Sequence, residues 1–138
     1  MATKRPSKIR IDWEALVQAA QAVMKNAYAP YSKFQVGAAV LTSRGNIYSG
    51  CNVENSSYGL TVCAERNAVG QAVASGDQEI IAVAIAVPDA PCPPCGMCRQ
   101  VLTEFAVKET PVALVGKKRR SLHQLGDLLP HAFDKHFL

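Results

Sequence analysis

Eight consecutive apolar residues, IIAVAIAV from Ile80 to Val87, constrain this chain's fold more than any other stretch. A membrane-spanning helix needs about 20 such residues, so the run is far too short to cross a bilayer. It also lacks the polar alternation of a strand with one wet face. EIIAVAIAV therefore reads as a central strand covered on both sides.

The segments around it supply the cover. DWEALVQAAQAVMKNAYAP reads as a first helix with Asp12 as N-cap. Trp13, Leu16, Val17, Ala20, Val23, Met24 and Ala27 form its apolar stripe, and Pro30 ends it. FQVGAAVLTSRGNIYSGCNVE reads as a hairpin turning at Ser43–Asn46, with Phe34, Val36, Ala38 and Val40 on one face of its first strand. TVCAERNAVGQAVASG reads as a second helix closed by Gly76, CGMCRQVLTEFA as a third, and PVALV from Pro111 to Val115 as another buried strand. Ser121-Leu122-His123-Gln124 matches a capping box opening a last short helix, LHQLGDLL, that Pro130 stops. Alternating strands and helices define an α/β layered sheet. With 138 residues and no repeat, low-complexity segment or linker, a single domain over residues 1–138 is expected, with a mobile basic tail over 1–10.

The net charge of +4 gathers in that tail and in KKRR at Lys117–Arg120. Both read as a solvated tail and turn rather than a nucleic-acid interface. MATKRPSKIR leads into no apolar h-region, so no secretory signal is expected and the location is expected to be cytoplasmic. An odd count of five cysteines then fits reduced thiols, some of them on a metal, better than a disulfide framework.

Three of those cysteines lie in PCPPCGMCRQ. Cys95-Gly-Met-Cys98 can bring both sulfurs to one ion across a single turn. Pro93 and Pro94 hold the chain extended at about 3 Å per residue, which carries the Cys92 sulfur roughly 9 Å back and reads it as a non-ligand. An iron–sulfur run would need a further cysteine shortly downstream, and none follows. Cys63 and Cys95–Cys98 both open helices, where unpaired backbone N–H groups and the helix dipole stabilise thiolate. Three thiolates with an open fourth position is the arrangement of catalytic rather than structural zinc. Arg66 and Arg99 sit one turn further in, where a guanidinium offsets excess thiolate charge.

Glu65 tips the balance toward chemistry. It lies two residues from Cys63 in the first turn of the same helix, poorly placed to ligate but placed to move a proton from metal-activated water. Cys63-Ala64-Glu65 followed by Pro94-Cys95-x-x-Cys98 matches the zinc deaminase signature.

Four motifs then carry a closer likeness: APYSKFQVGAA (29–39), NVENSSYG (52–59), CAER (63–66) and PCGMCRQ (94–100), with LLPHAF (128–133) at the end. Through them, from about Ala27 to Phe133, the chain resembles the small homotetrameric cytidine deaminases of the cytidine/deoxycytidylate deaminase superfamily. The resemblance implies a three-layer α/β/α fold around a mixed sheet of about five strands. It implies Zn2+, one per subunit, held by Cys63, Cys95 and Cys98, with Glu65 as proton shuttle. It further implies hydrolytic deamination of cytidine and 2′-deoxycytidine to uridine and 2′-deoxyuridine plus ammonia, in pyrimidine salvage. Phe34 would wall the pyrimidine, Asn52 and Glu54 would bind the ribose hydroxyls, and the Ala64 N–H would bind the pyrimidine O2. Tyr58 and Phe133 would reach a neighbouring subunit's site in a homotetramer, and Arg66 would draw charge from a thiolate. The expected partner is a small nucleoside, with no nucleic acid and no membrane. Departures from the family pattern are PDAPCP with its extra Cys92, and the basic N-terminal extension. Two alternatives remain: a deaminase of another cytosine nucleoside such as a nucleoside antibiotic, and a structural zinc-binding interaction module in which Glu65 would have no task.

Overall fold

The structure, a computed structural model, describes residues 9–138. The expected mobile tail lies outside the described residues apart from Ile9 and Arg10, and Ile9 packs against the core.

Helix α1 spans Trp13–Met24, and the Asp12 carboxylate accepts from the Ala15 N–H at 3.1 Å, as expected of an N-cap. It stops well before Pro30, and Ala27 is not part of it. The reason is non-local: the Tyr28 N–H donates to the Asn52 carbonyl at 3.0 Å and its carbonyl accepts from Glu54 N–H at 2.9 Å. Backbone groups claimed by that segment cannot extend a helix. Strands β1 (Gly37–Thr42) and β2 (Ile47–Cys51) form the expected hairpin, turning through residues 43–46. Phe34 lies outside β1, while Val36, Ala38 and Val40 do share a face.

Helix α2 (Ala64–Ala74) follows, and Gly76 reverses the chain after it with a φ of 96°. Strand β3 (Ile80–Ala86) occupies the middle of a five-stranded sheet together with β4 (Pro111–Val115) and β5 (Arg120–Gln124), in the order β2-β1-β3-β4-β5. β3 and β4 run parallel and the other pairs antiparallel, so the sheet is mixed. Helix α3 (Gly96–Phe105) makes the crossover between the parallel pair, and α4 (Leu125–Leu128) follows β5, with a 3-10 turn at Lys135–Phe137 beyond it.

The β3 side chains alternate between two cores, which is why the run is apolar throughout. Ala82, Ala84 and Ala86 face α1 with Leu16, Val17 and Ala20. Val83 and Ile85 face α2 and α3 with Ala68, Val69 and Leu102. The result is the three-layer α/β/α arrangement expected from the sequence. Fully burying each leucine or isoleucine contributes about 1.5–3 kcal/mol to it.

The capping box at Ser121–Gln124 is not one. These residues form edge strand β5, with Ser121 opposite Leu114 and Gln124 opposite Pro111. The unpaired edge of β4 outweighs a local helix-start signal. Only Leu125–Leu128 remain helical, and Leu125 is buried.

Candidate active site

Two helix N-termini converge on one point. Cys63 is the N-cap of α2 and Cys95 the N-cap of α3, both with extended backbone, while Cys98 lies fully buried in the first turn of α3. Their three sulfurs all lie within 4.8 Å of one another. Cys63 and Cys95 are 3.8 Å apart at sulfur and Cys95 and Cys98 3.5 Å. Tetrahedral zinc with bonds of about 2.3 Å requires sulfur separations of about 3.8 Å, so the donor set fits the ion. Cys92 lies outside the cluster, its thiol turned to the Pro93 carbonyl at 3.5 Å. All five cysteines are free thiols, as expected.

The sequence seats both helix ends. A Cβ at Gly50 would come within 2.4 Å of the Ala68 nitrogen and 2.8 Å of the Ala64 carbonyl, so only glycine lets α2 lie this close on β2. Asn67 on α2 donates through Nδ2 to the Cys51 carbonyl at 2.8 Å, fixing the helix along the strand. At α3, Arg99 donates through Nε to the Pro94 carbonyl at 2.7 Å and through Nη1 to the Leu128 carbonyl at 2.6 Å. Arg99 therefore braces the loop before Cys95 with its guanidinium on two carbonyls, rather than taking the charge-offsetting place beside sulfur expected for it. Arg66 does reach sulfur: its Nη2 donates to Cys63 Sγ at 3.5 Å and to the Thr61 carbonyl at 3.3 Å.

The electrostatics of this cluster call for a cation. A hydrogen bond from the Cys98 thiol, helped by Arg66, draws the Cys63 thiol down to about 5 against the cost of burial. Cys98 is pushed up by the same pairing with Cys63, by burial and by the Glu65 charge. One sulfur can thus ionise readily but three cannot without a positive ion between them. Glu65, 5% exposed, stands beside them. Burial holds its carboxyl above the usual range, opposed by its own backbone N–H, the Cys98 thiol and Arg66. Ala64 is wholly buried at the first helical position, where its backbone N–H has no intrahelical acceptor.

A second group gathers where β2 ends. Asn52 is buried and uses its carboxamide on the chain itself. Its Nδ2 donates to the Phe34 carbonyl at 2.8 Å and its Oδ1 accepts from Val36 N–H at 2.9 Å. Glu54 accepts from the backbone N–H groups of Tyr31 and Ser32, at 2.9 and 3.1 Å, and from the Ser32 hydroxyl. The Ser32 hydroxyl leads in holding its carboxyl below the usual range. Phe34 remains 41% exposed beside this pair. Tyr58 is 77% exposed, edge-on to Tyr31 with centroids 5.8 Å apart. Phe133 is 63% exposed, stacked on Phe137, its carbonyl accepting from Gln100 Nε2 at 2.8 Å. Sequence reasoning gave no place to Ser32, Asn67 or Gln100. All three bind backbone or side chains remote in sequence, and no local spacing marks them.

Three thiol sulfurs on two helix ends, with a buried carboxylate in the first turn of one, define a zinc-dependent deaminase. The family described as cytidine and deoxycytidylate deaminase zinc-binding region matches residues 11–114. The cytidine deaminase of Halalkalibacterium halodurans is 43% identical over 126 residues, covering 89% of this chain and 95% of that protein. That of Sporosarcina psychrophila is 45% identical over 127 residues, covering 91% and 93%. The crystal structure of cytidine deaminase from Burkholderia pseudomallei superposes with a TM-score of 0.85 at 44% identity, covering 89% of this chain and all of that one. The chain belongs to the cytidine and deoxycytidylate deaminase family.

Proposed function

We propose that this protein hydrolyses cytidine and 2′-deoxycytidine to uridine and 2′-deoxyuridine, releasing ammonia. The observation that carries the reading is the buried Glu65 in the helix turn that follows Cys63, beside a three-sulfur cluster. Cys63, Cys95 and Cys98 would hold zinc, which would supply the Lewis acidity that makes water nucleophilic near neutral pH. Glu65 would take a proton from the attacking water as its oxygen bonds to C4 and deliver it to N3; it would then move the proton of the new C4 hydroxyl to the departing amine, so that ammonia leaves and the C4 carbonyl forms. A carboxyl raised by burial suits a group that must both accept and give a proton. The Ala64 N–H, free at the start of α2, donates to the pyrimidine O2. Phe34 walls the base, and Asn52 and Glu54 keep acceptor or donor capacity for the ribose hydroxyls. Arg66 steadies the Cys63 thiolate.

The partner is a small nucleoside. Tyr58 and Phe133, left exposed on the single chain, cover the sites of neighbouring subunits in a homotetramer. Five free thiols fit a reducing, cytoplasmic setting and a place in pyrimidine salvage. Among the described residues no helix is long and apolar enough to cross a membrane. The test follows cytidine absorbance near its ultraviolet maximum on adding zinc-loaded protein. Conversion to uridine is expected. A flat trace, with zinc bound in equal amount to the chain, would overturn the assignment.

A further inference from the structure

Glu54 carries a hydrogen-bond load that leaves it a single open place. Its Oε1 accepts from two backbone N–H groups, those of Tyr31 and Ser32, which fills both lone pairs. Its Oε2 accepts from the Ser32 hydroxyl and keeps one lone pair. That hydroxyl in turn accepts from the Phe34 N–H at 3.0 Å, while the Phe34 carbonyl is held by Asn52. Ser32 thus stands between the carboxylate and the aromatic, using its donor on one and an acceptor on the other. Between Ser32 and Phe34, Lys33 takes a φ of 60°, in the left-handed region that a residue with a Cβ avoids. Such strain persists only where surrounding bonds fix it, here with the Lys33 N–H on the Ala29 carbonyl at 3.0 Å.

We infer that Ser32 is a specificity-determining positioning residue. Its hydroxyl aims the one open lone pair of Glu54 Oε2 at the 3′-hydroxyl of the nucleoside and, through the Phe34 N–H, sets the ring that walls the base. The inference rests on the reading of Glu54 as the sugar carboxylate. A hydroxyl entering this site meets an oxygen already oriented by Ser32, so a nucleoside without that hydroxyl gains nothing from the orientation. Both contacts exist before and during the chemical step. Their loss therefore raises KM and leaves kcat nearly unchanged.

The experiment compares zinc-loaded wild type, Ser32→Ala and Ser32→Thr on cytidine and 3′-deoxycytidine. Wild type is expected to favour cytidine. Ser32→Ala should raise the cytidine KM by about tenfold, the scale of a hydrogen bond to a charged group, with a smaller rise for 3′-deoxycytidine. The preference between the two then shrinks by several-fold, and Ser32→Thr, which keeps a hydroxyl, restores it. An equal KM rise for both nucleosides, or a fall in kcat at constant KM, overturns the proposal. A wild type that turns over both nucleosides equally well instead removes Glu54 from the sugar and takes the specificity role of Ser32 with it. Amide exchange at Phe34 in substrate-free protein reads the second link separately. Faster exchange in Ser32→Ala supports it, and unchanged exchange overturns it.

Discussion

Glu65 stands out by position. It is a carboxylate confined by burial, one residue past a helix start and two past a thiol. Replacing it by glutamine keeps the shape but exchanges one acceptor oxygen for an NH2 donor and removes the titratable proton. Glu65→Gln should lower kcat by about 100- to 10,000-fold or more, the range of general acid–base contributions, with zinc content unchanged. Metal analysis beside the cytidine assay checks both halves, and retained turnover would remove Glu65 from proton transfer. This residue and the three thiols were legible in the sequence because their signal is local: helix starts, a two-residue offset, and a proline pair that holds Cys92 away. Arg99 was misplaced because spacing does not say which way a guanidinium turns, and here it turns to two carbonyls. Asn52 and Glu54 lie where β2 ends, both bonded to the segment before β1. Their first partners, residues 31–36, were not legible, since those bonds join segments some twenty positions apart.

At the scale of elements, the site depends on how closely α2 can lie on β2. Gly50→Ala puts a methyl group into the α2 backbone, where no flexible side chain can give way. Overpacking of this kind costs about 1–3 kcal/mol and here exceeds that range, because the intruded atoms are helix backbone. A lowered Tm and a reduced zinc load per chain are the expected readings; a normal zinc load would show that α2 has room to shift without disturbing Cys63. A second tie, at the other end of the hairpin, is pH-dependent. Asp77 is buried after α2 and accepts from Thr42, Asn46 and Tyr48 at 2.7, 3.0 and 3.2 Å. The Asn46 amide leads in holding its carboxyl below the usual range, followed by Thr42. A depressed carboxyl stabilises the fold while ionised, and that contribution is lost as pH falls through its folded-state value. The Tm advantage of wild type over Asp77→Asn should therefore be widest near neutral pH and close as the pH falls below the ordinary aspartate range of about 3.9; a gap constant with pH would contradict it. The elements themselves were mostly legible from periodicity. Two misreadings yielded to backbone pairing: α1 stops short of Pro30 because Tyr28 pairs with residues 52–54, far along the chain, and the helix start at Ser121 gave way to β5 pairing with β4 across the turn at 116–119.

At the scale of the whole molecule, aromatic rings stand exposed around the site. Tyr31, Phe34, Tyr58, Phe133 and Phe137 are between 41% and 77% exposed, and they belong to the segments around the site. Phe133 hangs from α3 through Gln100, two positions beyond Cys98, so the helix that carries two of the three candidate ligands also holds the aromatic offered outward. If each subunit lends that ring to a neighbour, defects in different subunits should complement. Glu65→Gln chains lack the proton shuttle but present an intact Phe133, and Phe133→Ala chains have the shuttle but no ring to lend. Assembling the two together should raise the rate per functional Glu65 above that of Phe133→Ala alone, because some intact sites then receive a ring from a Glu65→Gln neighbour. Sedimentation establishes that the mixed sample is tetrameric, and the cytidine assay reads the gain. A rate that merely tracks the amount of Phe133→Ala chain, in a sample shown to be tetrameric, means that each subunit closes its own site. A sample that stays monomeric at full activity removes the shared site altogether and leaves the exposed aromatics to bind the nucleoside within one chain.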